Sequence, residues 1–151
     1  METLYEYMQN QLSAVKTEFT RYQYDHINWD NHMLALVGPR GVGKTTLFLQ
    51  RIINAHADDK ALYVSADHLY FTTHTLLHVA DEFYKQGGTH LFIDEVHKYP
   101  NWSRELKNIY DAYPDLHIYF TGSSVLDIEK GESDLSRRAP RYLMQGLSFR
   151  E

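Results

Sequence analysis

Short apolar runs alternate along this chain with longer segments in which apolar residues recur every three or four positions. The apolar runs have the length of buried strands, and they predict strands at residues 33–37, 61–65, 89–95, 116–121 and 141–144. The periodic segments predict helices at residues 3–23, 46–53, 73–85 and 102–113. Strands that alternate with helices indicate an α/β fold, in which a mainly parallel sheet of about five strands carries helices on both faces.

The segment that joins the first predicted strand to its helix has the pattern of a phosphate-binding loop. It reads Gly38-Pro39-Arg40-Gly41-Val42-Gly43-Lys44-Thr45-Thr46, which contains G-x-x-x-x-G-K-[ST]. Glycine permits backbone angles closed to other residues, so consecutive N–H groups can point into one concavity. We expect ATP and Mg²⁺ as ligands, with the Lys44 ammonium, on a solvent-facing loop, against the β- and γ-phosphates and the Thr45 hydroxyl on the metal. Arg40 contacts phosphate or a neighbouring strand, or it is only a solvated loop charge.

A second candidate site lies where the third predicted strand ends in two acids, Asp94 and Glu95. Carboxylates at the end of a buried strand are costly unless they meet a cation or water. A phosphate-loop enzyme needs one acid to help hold Mg²⁺ and another group to orient or deprotonate the attacking water. We assign Asp94 to the metal and Glu95 to the water, which favours hydrolysis over transfer to a small acceptor.

The fourth predicted strand is followed by Gly122-Ser123-Ser124. In hydrolytic ATPases with this loop, a polar residue on the strand between the loop strand and the acidic strand contacts the γ-phosphate or the water. Ser123 is our candidate for that catalytic contact, with Ser124 as the reserve. The same residues also fit a simple Gly-Ser turn.

Together these motifs resemble one prokaryotic AAA-type ATPase family over about residues 30–151. The resemblance is carried by Gly38 to Thr46, by LFIDEVHKYPNW, by TGSS, and by DLSRRAPRYLMQGLSFRE at the end of the chain. It implies a P-loop NTPase fold with strand order 5-1-4-3-2. It also implies that an ATPase domain is followed by a separate C-terminal domain of unknown function, so we expect this chain to be a fragment. We divide it into an N-terminal helix and connector (1–30) and an ATPase core (31–151).

Arg137 and Arg138 lie in the last of these segments. In AAA-type proteins an arginine finger usually reaches the nucleotide of a neighbouring subunit, and there it stabilises charge on the transferred phosphoryl group. This interpretation implies a homo-oligomer. The alternative is a basic loop paired with Asp134 or Glu132. Which of the two arginines would act is not decided by the sequence.

Composition adds bounds to these expectations. The 151 residues are 43% hydrophobic and 14% aromatic, which argues for a folded core. The formal net charge of −5 gives no broad attraction to nucleic acid. No apolar run approaches the length of a membrane span, and the absence of cysteine fits a cytoplasmic protein.

The sequence therefore predicts Mg²⁺-dependent ATP binding and hydrolysis, coupled to an output that it does not specify. Two alternatives remain, a nucleotide-gated interaction module with little turnover and a P-loop small-molecule kinase. A kinase would need an acceptor pocket and a mobile Arg-rich lid, of which only the arginines near residue 137 are visible. A GTPase is disfavoured because the chain has no Asn-Lys-x-Asp motif.

Overall fold

The computed structural model describes residues 1–14, 27–39, 43–55, 60–122 and 139–143. In these ranges the helices are α1 (Glu2–Ala14), α2 (Lys44–Ala55), α3 (Leu76–Lys85) and α4 (Trp102–Ala112). The strands are β1 (Met33–Val37), β2 (Ala61–Ser65), β3 (His90–Asp94), β4 (His117–Gly122) and β5 (Arg141–Leu143). Two short 3₁₀ helices cover Leu69–Thr72 and Val96–Lys98.

The strands form one parallel sheet in the order β2-β3-β4-β1-β5. This confirms the expected order, with β4 between the phosphate-loop strand β1 and the acidic strand β3. All residues of β1 and β2 are buried, as continuous apolar runs in a parallel sheet should be. Because every strand runs the same way, their carboxyl ends meet at one edge of the sheet.

Aromatic contacts show that helices cover both faces of the sheet. Successive side chains of a strand point to opposite faces. On β4, Tyr119 packs on Phe92 of β3, which in turn meets Phe48 of α2. The next residue, Phe120, meets Trp102 of α4 on the other face. The predicted α/β architecture is therefore confirmed.

Helix α1 packs against β2, at one edge of the described sheet, and also contacts α2. Its Leu4 and Met8 are buried in the same core as the sheet. The Met8 thioether accepts a hydrogen bond from the backbone N–H of Tyr63, with 3.2 Å between sulfur and nitrogen. Helix α1 thus accepts a hydrogen bond from the backbone of β2, and residues of α1 lie beside the carboxyl ends of the strands.

Several helix limits differ from the sequence expectation. Helix α3 begins at Leu76, three residues later than predicted, because the Thr75 side chain accepts a hydrogen bond from the N–H of His78 and caps the helix. Helix α2 begins at Lys44, inside the phosphate-loop motif. Helix α1 is described as far as Ala14, and residues 15–23 of that predicted helix lie outside the described residues. No described helix has the length and apolar character needed to cross a membrane.

Candidate active site

A cavity of about 450 Å³ opens at the carboxyl ends of the strands. One wall is the start of α2, from Gly43 to Thr46, and another is the acidic pair Asp94 and Glu95 that follows β3. The remaining wall comes from β2 and α1, which contribute Tyr63, Ser65, Tyr7 and Gln11. The fold therefore brings the phosphate-loop motif and the acidic pair, 49 residues apart between Thr45 and Asp94, to one cavity.

The end of the phosphate-binding loop has the backbone that its glycine pattern requires. Gly43 has φ 96°, in the region open mainly to glycine, and its position lets the chain enter α2 at Lys44. The first N–H groups of a helix have no partner within it, so the start of α2 presents donors and a favourable dipole to an anion. This arrangement suits phosphate oxygens.

Lys44 does not lie in a solvent-facing position, so that expectation was wrong. Its side chain is only 8% exposed, and the ammonium donates to the carbonyls of Gly38 (2.7 Å) and Pro39 (2.9 Å). Burial lowers the pKa of Lys44, while the carboxylates of Asp94 and Glu95 oppose that effect. The ammonium at the start of α2 thus lies against the carbonyls of the two residues that follow β1.

Asp94 is 4% exposed and is held by hydroxyl groups from three different elements. Oδ2 accepts from Thr45 at the start of α2 and from Tyr63 of β2, the latter at 2.6 Å. Oδ1 accepts from Thr121 of β4. These donors satisfy a carboxylate that would otherwise be costly to bury, and they fix its orientation toward the cavity.

Glu95 takes a backbone conformation that is unusual for its residue type. Its φ of 54° and ψ of 51° are left-handed, and it immediately precedes the 3₁₀ helix Val96–Lys98. Its N–H donates to the Thr121 hydroxyl at 2.8 Å. Left-handed backbone at a residue other than glycine, asparagine or aspartate is uncommon and is found most often at functional sites. The turn directs the chain so that Glu95 lines the cavity beside Asp94.

Other predicted site residues lie outside the described part of the chain. They are Arg40, Gly41, Val42, Ser123, Arg137 and Arg138. Their roles remain predictions, as does the choice between Ser123 and Ser124. Gly38 is buried directly after β1, where its N–H bonds to the carbonyl of Gly122, and Pro39 is exposed.

Sequence reasoning did not single out Thr121, which bonds to Asp94 from β4, nor four residues that line this cavity: Tyr7, Gln11, Tyr63 and Ser65. Thr121 ends the β4 apolar run, two positions before the serine that we favoured, and its polar side chain at that strand end was an available signal. Tyr63 lies within an apolar strand and resembles any core aromatic residue, and Tyr7 lies in a predicted helix that contains several tyrosines. No local pattern marks these two tyrosines, because only the tertiary fold brings them to Asp94.

The oxygen atoms around Thr45 and Asp94 fit a Mg²⁺ ion that is completed by phosphate oxygens and water. Among the described residues, no group of three or more His, Cys, Asp or Glu side chains could hold a metal alone. Mg²⁺ typically takes one or two protein oxygens and keeps several waters. A hydroxyl and a carboxylate are hard donors of the kind it prefers.

Comparison with known proteins assigns the chain to a family. A model of the AAA domain family matches residues 30–151. The chain belongs to the AAA domain family. Its members are ATPase domains that typically hydrolyse nucleoside triphosphates, so nucleotide binding is implied for this chain. No curated protein matches the sequence closely enough to count as a relative.

Three solved structures share the fold at low sequence identity. The Walker-type ATPase PABY2304 of Pyrococcus abyssi has 15% identity and a TM-score of 0.60, with 87% of this chain and 55% of that chain covered. A structure described as the basis for katanin self-assembly has 18% identity and a TM-score of 0.56, with 93% and 50% covered. PCH-2 of C. elegans has 19% identity and a TM-score of 0.53, with 95% and 42% covered. This chain spans about half the length of these structures.

Proposed function

We propose that this domain binds ATP with Mg²⁺ and hydrolyses the bond between its β- and γ-phosphates. The observation that carries the proposal is the meeting of Lys44, Thr45, Asp94 and Glu95 at one cavity. These residues supply a cation, a hydroxyl and two carboxylates, which is the set that phosphoryl transfer to water requires. In such reactions the protein contributes mainly positioning and charge stabilisation.

Lys44 would bind the phosphate chain. Its ammonium is already at the base of the loop, where two backbone carbonyls hold it in place. A buried cation bonded to neutral acceptors, beside a helix N-terminus, favours an anionic ligand. The carboxylates of Asp94 and Glu95 would repel the phosphates, so a Mg²⁺ ion between them and the nucleotide would be favourable in addition to the Lys44 ammonium.

Thr45 and Asp94 would hold Mg²⁺, which when bound neutralises charge that develops on the phosphate oxygens. Glu95 would orient the attacking water or accept its proton. Two features support that role: its side chain lines the cavity, and its left-handed backbone turns it away from the β3 direction. Thr121 bonds both to the Asp94 carboxylate and to the Glu95 N–H, so it couples the positions of the two acids.

The arginine-finger hypothesis extends this proposal to an assembly. If Arg137 or Arg138 acts on a neighbouring copy, a single copy would hydrolyse ATP slowly. The support for this is the family resemblance of the segment that contains them.

The first test measures nucleotide binding by calorimetry. Lys44→Ala should lose measurable ATP affinity because it removes the ammonium at the loop. Lys107→Ala is the matched control, since Lys107 makes an exposed ion pair with Asp111 on α4. Equal ATP affinity of the Lys44 variant and the wild type would reject the proposed phosphate site.

The second test separates hydrolysis from a binding switch. Glu95→Gln should retain bound ATP but lower single-turnover hydrolysis by on the order of 10²-fold or more. Glu82→Gln controls for the loss of one carboxylate, because Glu82 pairs with His78 on the surface of α3. If wild-type protein holds ATP unreacted in a single turnover, a nucleotide-gated module replaces the ATPase proposal. Phosphate transfer to an added small molecule rather than to water would indicate a kinase.

A further inference from the structure

We propose that Tyr63 is a positioning residue for the Mg²⁺-binding carboxylate of Asp94, and that helix α1 keeps Tyr63 in place through Tyr7 and Met8. This inference rests on the proposed function of the same site. It assigns a role in metal binding to a strand residue and to a helix that both lie outside the phosphate-loop and acidic motifs.

The Tyr63 hydroxyl has a specific partner at the site. It donates to Oδ2 of Asp94 at 2.6 Å, the same oxygen that accepts from Thr45. Thr45 is itself a proposed metal ligand, so Tyr63 and Thr121 are the donors that hold Asp94 from outside the phosphate loop. Tyr63 on β2 donates to one carboxylate oxygen and Thr121 on β4 donates to the other, and these two strands lie on either side of β3. Loss of either donor would leave the carboxylate with two of its three hydroxyl partners and hold its orientation less firmly.

Packing alone does not explain a tyrosine at position 63. The side chain is 2% exposed, and a phenylalanine would fill the same space without a hydroxyl to satisfy. A tyrosine hydroxyl is protonated at neutral pH, so at 2.6 Å from Oδ2 it is placed to donate to the Asp94 carboxylate.

Helix α1 encloses the other side of Tyr63. The Tyr7 ring stacks on the Tyr63 ring, with 6.1 Å between centroids and 11° between planes. One residue further along α1, the Met8 sulfur accepts from the Tyr63 backbone N–H. Tyr7 is also packed edge-on against His68 and lines the cavity. The ring and the backbone of Tyr63 are thus both held by the same turn of α1.

The decisive experiment titrates Mg²⁺ into the protein with a fluorescent ATP analogue and measures the analogue's affinity, which does not depend on turnover. Tyr63→Phe should change the Mg²⁺-free affinity less than it changes the Mg²⁺ dependence of binding. We call the Mg²⁺ concentration at which half of the Mg²⁺-dependent gain in affinity is reached the Mg²⁺ midpoint. The variant should raise this midpoint roughly tenfold or more, as expected when a partner of a metal ligand is removed.

Tyr119→Phe is the matched control. Tyr119 is also a fully buried strand tyrosine, and its hydroxyl donates to the Trp29 carbonyl instead of to Asp94. Its loss should leave the Mg²⁺ midpoint unchanged, whatever it does to thermal stability. A wild-type midpoint in Tyr63→Phe, or an equal shift in Tyr119→Phe, would overturn the positioning role.

The part played by α1 is tested by Tyr7→Leu, which keeps an apolar side chain but removes the stacked ring. We expect a Mg²⁺ midpoint about threefold to tenfold higher than wild type, in line with the worth of an aromatic pair. Tyr5→Leu is the control on the same helix, because Tyr5 reaches Gln86 and not the cavity. An unchanged midpoint in Tyr7→Leu would remove α1 from the inference.

These outcomes separate this inference from the proposed function. If the wild-type protein bound no ATP analogue at any Mg²⁺ concentration, the proposed function itself would fail. If wild type bound it with a clear Mg²⁺ dependence and the tyrosine variants matched wild type, only the inference would fail.

Discussion

Glu95 stores backbone strain that a glycine would release, and this gives a prediction that links stability to activity. A left-handed conformation costs a residue with a Cβ atom roughly 1–2 kcal/mol. Glycine avoids that cost but loses about 0.5–1 kcal/mol through its greater freedom in the unfolded chain. At φ 54° and ψ 51° the balance favours glycine. We expect Glu95→Gly to be more stable than Glu95→Gln by about 0.5–1 kcal/mol.

The comparison with Glu95→Gln is needed because both variants lose the carboxylate and its attraction to the Lys44 ammonium. Their difference therefore reports the backbone strain together with the contacts of the uncharged part of the side chain. Urea unfolding followed by tryptophan fluorescence gives the free energies, since both tryptophans, Trp29 and Trp102, are buried. A gain of this size corresponds to a melting temperature about 1–4 °C higher. Both variants should also lose hydrolysis to the same extent.

Asn101→Gly is the control for left-handed geometry. Asn101 has φ 61° and ψ 25°, and its side chain makes no capping hydrogen bond to α4. Asparagine adopts this region at lower cost than glutamate, so the glycine variant should gain little or nothing. If Glu95→Gly proved less stable than Glu95→Gln, the strain argument would be refuted. Wild-type hydrolysis in Glu95→Gly would separately refute the role of the carboxylate.

Three further predictions address the metal, the assembly and the pH dependence. Asp94→Asn should weaken the Mg²⁺ dependence of nucleotide binding more than binding without Mg²⁺, and an unchanged Mg²⁺ titration would contradict this. The ATPase rate per subunit should rise with protein concentration, and a mixture of Lys44→Ala subunits with Arg137→Ala/Arg138→Ala subunits should regain activity. If the rate per subunit depended neither on concentration nor on the two arginines, they would belong to a surface loop. Burial lowers the pKa of His117 in the folded protein, so as the pH falls this imidazole is protonated at a higher pH in the unfolded chain than in the folded one. Stability should therefore be full above about pH 6.5 and decline as the pH falls below it, less so in His117→Gln; parallel pH profiles of the two proteins would count against this account.

Much of the fold followed from local pattern. Uninterrupted apolar runs identified the strands because both faces of a parallel sheet are buried, and β1 and β2 match the predicted limits residue for residue. The strand order came from the family resemblance, since periodicity carries no information about which strands are neighbours. The start of α3 was predicted three residues too early, because the helical spacing of apolar residues does not show that the Thr75 side chain caps the helix.

The sequence by itself determined the phosphate loop and the acidic pair, because each is a short motif whose chemistry lies in adjacent residues. It also placed both at strand ends, which in a parallel sheet share one edge. Only the tertiary structure decided what surrounds Asp94. The hydroxyls of Tyr63 and Thr121 reach it from neighbouring strands, 31 and 27 residues away in sequence. Helix α1 joins the cavity because its apolar face packs on the edge strand β2, and no local pattern specifies that contact.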